Sequence, residues 1–296
     1  MVTGGPGRDR AYAYCERLAR EHYENFPVAS FLVPAAMRPH IAAIYAFARR
    51  ADDIADEPGI PTDERIRLLD GWLSRVQRAA DGGPPAMSRH PEGDDLIFDA
   101  LGETVRRHAL PLDLFQDLLS AFRQDVTTTR YATWAHVMDY CRRSANPVGR
   151  LVLRVAGYAD PRMDAASDAV CTALQLTNFW QDLGRDWDNG RLYVPLEDLA
   201  RAGAREADLA DRKMTAAWQT VTGVMLQRTR ELFLEGRSVC DAVRGRLKWE
   251  LRLTWLGGWR ILEKVERARR ESFDERPTLG TADVPGLLRD AVVWAR

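Results

Sequence analysis

Apolar residues recur at three- and four-residue intervals along almost the whole chain, the spacing of helices with one buried face. The pattern predicts helices at 10–24, 38–56, 62–80, 94–108, 112–123, 133–156, 164–187, 212–234, 241–269 and 281–294. Helix stops stand at Pro58-Gly59, Pro161 and Gly190. Residues 126–131 are β-branched enough for a strand, but no partner strand is evident. Residues 81–93 contain Gly82-Gly83-Pro84-Pro85 and read as an exposed loop. Helices of the same amphipathic character continue on both sides of it. The expectation is a single all-α domain over 11–296, preceded by a flexible tail over 1–10.

Composition narrows the classes. The 296 residues are 46% hydrophobic and 29% charged, a globular balance. With 42 basic and 43 acidic residues the net charge is -1, which gives no support to a nucleic-acid binder. No apolar stretch approaches the roughly 20 residues of a membrane span, and the N-terminus shows no apolar leader. Cys15, Cys141, Cys171 and Cys240 are widely spaced, with no Cys-x-x-Cys. They read as buried thiols in a reducing compartment, so a cytoplasmic setting is expected.

Two stretches carry candidate chemistry. In Tyr45-Ala-Phe-Ala-Arg49-Arg-Ala-Asp52-Asp53-Ile-Ala-Asp56, helical geometry places Tyr45, Arg49, Asp52, Asp53 and Asp56 on one arc of about 100°. Alanines and Ile54 fill much of the rest, so the helix reads as buried and its acidic stripe as more than a solvated face. Asp52 and Asp56 repel at (i, i+4) unless a cation joins them. In Gln175-Leu-Thr-Asn178-Phe-Trp-Gln-Asp182-Leu-Gly-Arg-Asp186, the residues Asn178, Asp182 and Asp186 are spaced four and four and form a row of oxygen ligands. For either stretch alone, an exposed helix end with acidic residues is the competing reading.

Taken together they point to metal chemistry. Hard oxygen ligands without His or Cys select Mg²⁺, with Mn²⁺ as the alternative, over zinc. Magnesium readily shares its sphere with substrate phosphates, so an organic diphosphate is the natural ligand, and Arg49 can contact the same phosphates. No Walker A motif and no Gly-x-Gly-x-x-Gly occurs.

At these residues the chain resembles the squalene/phytoene synthase family of head-to-head isoprenoid synthases, over 11–276. The carriers are Phe26-Pro-Val-Ala-Ser-Phe-Leu-Val-Pro34, Tyr45 to Asp56, Asn178 to Asp186, and Gly190-Arg-Leu-Tyr-Val-Pro195. The resemblance implies an isoprenoid-synthase helical bundle with a central apolar cavity. It implies Asp52, Asp53 and Asp56 as one metal region and Asn178, Asp182 and Asp186 as the second. Tyr45, Arg49 and Gln175 would border the diphosphate, and Arg191 and Tyr193 match the family's Arg-x-Tyr.

Two departures choose among subfamilies. Tyr140-Cys141 is followed by Ala145-Asn146-Pro147 where carotenoid-type members carry a Val-Ala-Gly pattern, and Gln181 stands where many relatives have Arg. Both resemble bacterial hydroxysqualene synthases of hopanoid pathways. That implies presqualene diphosphate and water as reactants, hydroxysqualene and diphosphate as products, and no NADPH or flavin. A sister presqualene diphosphate synthase, a hydroxysqualene-reducing flavoprotein and peripheral membrane contact are the implied partners. Tyr140 and Asn146 are candidates for placing the water, although Asn146 before Pro147 also reads as a helix breaker. Phe26, Phe31, Phe47, Phe122, Phe179 and Trp180 are candidate cavity aromatics, and for each one alone ordinary core packing is the favoured reading. Alternatives are a synthase condensing two prenyl diphosphates, a terpene cyclase, and a non-catalytic lipid-binding helical scaffold.

Overall fold

A computed structural model describes residues 6–21, 32–83 and 91–294. The fold is all-α, as the periodicity predicts. The helices are α1 Pro6–Glu21, α2 Arg38–Asp56, α3 Thr62–Ala80, α4 Pro91–His108, α5 Leu112–Asp125, α6 Trp134–Ser144, α7 Asn146–Val155 and α8 Pro161–Gln181. They continue with α9 Leu183–Asp188, α10 Leu196–Ala202, α11 Glu206–Ala210, α12 Ala216–Gly236, α13 Val239–Ala242, α14 Gly245–Ala268 and α15 Val284–Val293, the last entered through a 3₁₀ turn at Thr281–Asp283. The chain folds as two compact units: Met1–Thr127 with Pro147–Asp164, and Thr128–Asn146 with Ala165–Arg296.

The first unit closes on rings from four helices. Phe47 of α2 lies 5.4 Å from Trp72 of α3, 6.2 Å from Phe98 of α4 and 5.5 Å from Phe115 of α5, centre to centre. Edge-on and tilted rings at such spacing stabilise beyond their area alone. The face of α2 that carries Ala42, Ala43, Ala46, Phe47, Ala51, Ile54 and Ala55 is buried in this packing.

The second unit ties α8, α12 and α14 together through tryptophans. Trp180 donates its indole N–H to Thr229 Oγ1 at 2.9 Å, and Trp255 donates to the Phe233 carbonyl at 2.8 Å. A buried indole needs such a partner. Phe47 and Trp180, two of the candidate cavity aromatics, thus pack as core. Phe26 and Phe31 lie outside the described residues.

Several helices end earlier or break where the pattern predicted continuity. The expected 133–156 helix breaks at Ala145 (φ -114°, ψ -47°), because Pro147 has no N–H to continue the ladder. The expected 164–187 helix breaks at Asp182 (φ -96°, ψ 12°). The expected 241–269 helix is split by extended Val243 and by Gly245 at φ +64°. Residues 126–131 form no strand; one isolated bridge joins Arg130 to Leu192. The short helices α10 and α11 had no prior signal. Helix α1 covers Pro6–Glu21 and so reaches into the expected tail.

All four cysteines are free, and Cys15, Cys141 and Cys240 are buried. Burial pushes the Cys15 and Cys240 thiols up to about 12, so they are inert at neutral pH. Among the described residues no helix is long and apolar enough to cross a membrane.

Candidate functional site

The first acidic region lies on the last two turns of α2, in the first unit. Its residues share the arc that the spacing predicted. Arg49 Nη2 sits 2.8 Å from Asp53 Oδ1, and Arg49 Nη1 sits 3.9 Å from Asp52 Oδ2. The arc is not buried, however. The side chains of Arg49, Asp52 and Asp53 are 39%, 43% and 33% exposed, and Asp56 is exposed at the helix end. The alanine face of α2 is the buried one, and the acidic arc lies away from it. Tyr45 is half-buried one turn earlier. Arg49 keeps a buried Nε with no hydrogen-bond partner, so the guanidinium retains donor capacity.

The second region lies in the second unit, where α8 gives way to α9. The break at Asp182 does not destroy the row. Asp182 N–H still donates to the Asn178 carbonyl and Asp186 N–H to the Asp182 carbonyl, both at 2.8 Å. Asn178 is exposed; Gln175, Asp182 and Asp186 are half-buried.

Arg269, 2% exposed, supports the break from behind. Its guanidinium donates to the carbonyls of Trp180 (3.1 and 3.0 Å), Gln181 (2.9 Å), Ser272 (2.9 Å) and Glu275 (3.0 Å). It satisfies carbonyls that a helix C-terminus leaves open and fixes the returning segment 272–276 against them. Burial pulls the Arg269 pKa down to about 10, which leaves it charged at neutral pH. A Cβ on Gly184 would meet the Phe273 carbonyl oxygen at 2.7 Å, so only glycine permits this close approach. The returning segment delivers Arg276 to Asp182: Nε pairs with Oδ1, and Nη2 lies 3.3 Å from Oδ2. Gln181 is buried and donates Nε2 to the Pro277 carbonyl at 2.5 Å.

The turn after α9 folds Arg191 back, with its N–H on the Asp186 carbonyl at 2.7 Å. Tyr193 then stacks on Phe179 at 3.7 Å and 4°. Tyr140 joins this aromatic group 6.0 Å from Tyr193 and 6.1 Å from Phe179, with Tyr131 5.6 Å from both tyrosines. Asn146, also buried, accepts the Thr172 hydroxyl on Oδ1 at 2.8 Å. This sets the amide with its N–H side away from Thr172.

Among the described residues no three His, Cys, Asp or Glu side chains gather closely enough to hold a metal by themselves. The donor chemistry nevertheless fits magnesium. Each region offers hard oxygens, partly exposed, beside arginines suited to phosphate, which matches an ion that completes its sphere with water and diphosphate. Arg276 and Arg269 could not be foreseen from spacing, since they reach α8 and α9 from roughly 90 residues away. The sequence marks Arg269 only by the Arg269-Arg270 pair after α14, and Arg276 stands alone after Glu275.

The model for squalene/phytoene synthases matches residues 19–283. The chain belongs to the squalene/phytoene synthase family. It is 36% identical to a hydroxysqualene synthase of Rhodopseudomonas palustris over 257 residues, 86% of this chain and 82% of that one. It is 29% identical to a phytoene synthase of Arthrospira platensis, over 93% of this chain and 90% of that one. The crystal structure of squalene synthase HpnC from Alicyclobacillus acidocaldarius superposes with a TM-score of 0.81 at 38% identity, covering 90% of this chain and 96% of that one. As a member of this family the chain is a head-to-head isoprenoid synthase, and a prenyl diphosphate is its implied substrate.

Proposed function

We propose that this synthase is a hydroxysqualene synthase, converting presqualene diphosphate and water to hydroxysqualene and diphosphate. The observation that carries the reading is the gap in identity at similar coverage: 36% to a hydroxysqualene synthase against 29% to a phytoene synthase. The Asn146-Pro147 and Gln181 departures support it from within the sequence.

In this reading Asp52, Asp53 and Asp56 form one metal–diphosphate region and Asn178, Asp182 and Asp186 the other. Magnesium bound there offsets the charge that develops on the departing diphosphate. Arg49 grips phosphate oxygens through a planar fork, with Tyr45 beside it in the first region, and Gln175 and Arg191 are the polar contacts of the second. The buried group of Tyr193, Phe179 and Tyr140 supplies rings of the kind that steady a carbocation by about 0.5–2 kcal/mol each. Tyr140 and Asn146 place the capturing water; the Thr172 bond orients the amide for this. The product alcohol then forms without a reductant. The chemistry calls for a cytoplasmic enzyme with access to membrane-borne lipid, supplied by a synthase of presqualene diphosphate and drained by a reductase of hydroxysqualene.

The name of the Alicyclobacillus structure favours one second reading, a squalene-forming activity. One experiment separates them. Purified enzyme with Mg²⁺ receives presqualene diphosphate or farnesyl diphosphate, each with and without NADPH, and products are identified by mass spectrometry. Hydroxysqualene from presqualene diphosphate without NADPH is expected. Squalene only with NADPH, or turnover of farnesyl diphosphate alone to a condensed product, replaces this reading with the second. Absence of Mg²⁺-dependent diphosphate release from either substrate leaves a non-catalytic scaffold.

A further inference from the structure

Two charged side chains of the first unit are buried where an apolar pair would pack more cheaply. Asp94 of α4 and Arg75 of α3 are each 5% exposed, with Arg75 Nη1 3.7 Å from Asp94 Oδ2. Asp94 is not the only group that holds Arg75, whose Nε stays buried without a hydrogen-bond partner. Its Nη2 lies 2.6 Å from Asp95, and its guanidinium covers the Phe98 ring at 4.2 Å. Removing a buried ion pair in favour of apolar residues is often neutral or stabilising, so Asp94 calls for a reason other than stability.

The other oxygen of Asp94 supplies one. Arg50 Nε lies 3.4 Å from Asp94 Oδ1. Arg50 follows Arg49 on α2, and its Nη1 lies 3.9 Å from Asp53 Oδ2. That distance is within ion-pair range but beyond a hydrogen bond. Asp53 Oδ1 is already held by Arg49 at 2.8 Å. Arg50 is therefore shared between a buried carboxylate behind it and an accessible one in front.

We propose that Asp94 is a positioning residue for the first acidic region: it holds Arg50 back, so that Asp53 keeps Oδ2 open to a divalent cation. This rests on the reading of Asp53 as a metal–diphosphate residue. Without the charge of Asp94, the remaining attraction on Arg50 is toward Asp53. A charge-assisted hydrogen bond then closes Oδ2, and a cation has to displace two guanidiniums instead of one.

The test is Mn²⁺ binding measured by electron paramagnetic resonance, with inorganic diphosphate present and no prenyl substrate. Wild type is compared with Asp94→Asn, Arg50→Gln and the double variant. Asp94→Asn is expected to weaken Mn²⁺ binding about tenfold. The double variant is expected to recover most of that loss, because the competing guanidinium is gone. A purely packing role for Asp94 makes the double variant as weak as the single or weaker, and that result overturns the proposal. So does wild-type affinity in Asp94→Asn. Should Asp94→Asn not fold, Arg50→Gln alone decides: affinity at or above wild type supports the proposal, and weaker binding overturns it. Wild type that binds no Mn²⁺ with diphosphate removes the underlying metal reading and the proposal with it, an outcome distinct from the others.

Discussion

The two acidic regions achieve similar donor rows by opposite means. The first is a regular helix end. Residues within five positions of each other, Arg49, Asp52 and Asp53, pair along one continuous helical face, and the backbone beneath is ordinary α2. The second is a broken helix held open by distant chain. Arg269 anchors the carbonyls of Trp180 and Gln181, Gly184 lets segment 272–276 approach, and Arg276 pairs with Asp182. A local device is robust, because helical periodicity alone builds it. A long-range device depends on distant chain, because Arg269 and Arg276 reach residues 180–182 from beyond α14.

Neutralising a proposed metal ligand in either region is the strongest test of their equivalence. Asp52→Asn and Asp182→Asn are each expected to lower turnover by about a hundredfold or more while the circular dichroism stays native. Removing like charge from the α2 face even favours its helix. Loss in one variant and a near-wild-type rate in the other at saturating Mg²⁺ would restrict the proposed metal role to one region.

Removing the anchor attacks only the second. Arg269→Leu leaves several carbonyls without a donor at the α8–α9 break, and a loss of about 3 kcal/mol in unfolding free energy is expected. Arg269→Lys reaches fewer carbonyls and should lie between. The first region has only a smaller counterpart: Arg65 Nη1 of α3 donates to the Ala55 carbonyl in the last turn of α2 at 2.5 Å, one carbonyl against the four that Arg269 reaches. Urea titration of both variants measures the difference; a loss under about 0.5 kcal/mol in Arg269→Leu would mean that the break holds without it.

The two units should also respond to pH in opposite directions. His40 of α2 is buried against His108 and bonded to Thr104 at 2.9 Å. Burial first, then the neighbouring His108 and Arg107, lower its pKa from 6.5 to about 4. The unfolded chain therefore binds a proton that the folded chain refuses, and stability is lost as pH falls from about 6.5 toward 4. Glu250 of α14 is the reverse case. Burial raises its pKa from 4.5 to about 8, so its neutral form is folded-state favoured and stability is lost as pH rises over that interval. At the far side of its window the effect is roughly 3 kcal/mol for His40 and roughly 5 kcal/mol for Glu250. Melting curves from pH 5 to 8.5 should show the acid limb flattened by His40→Gln and the alkaline limb flattened by Glu250→Gln. If either substitution flattens the opposite limb, the assignment is wrong.

The smallest expected effect is Arg49→Lys, about a tenfold loss in kcat/KM with a preserved charge. A point charge still balances Asp53, but it cannot grip two phosphate oxygens. Unchanged kinetics and unchanged inhibition by inorganic diphosphate would reduce Arg49 to a counter-ion of the α2 face.

The same contrast governs how far the sequence could be read. The bounds of α2 and α3 follow from the apolar period, and the arc of Arg49, Asp52 and Asp53 follows from 3.6 residues per turn. The exposure of that arc was misjudged: the small and apolar residues around the helix suggested full burial, yet only one face is packed. The period alone also ran straight through Asp182 and Ala145. Apolar spacing shows where a helix is compatible with packing, not where another segment interrupts it. Pro147 was a visible reason for the break at Ala145, whereas near Asp182 the one local sign is Gly184, which a helix also tolerates.

By itself the sequence determined an all-α chain, the placement of two oxygen-rich rows on helices, and membership of the squalene/phytoene synthase family, because helical period and short motifs are properties of neighbours along the chain. Only the tertiary structure decided that Arg269 and Arg276 serve the second row, that Asp94 stands behind Arg50, and that the acidic arc of α2 stays accessible. Those depend on which distant segments meet, and a contact across 40 or 90 residues leaves no periodic trace in either of its partners.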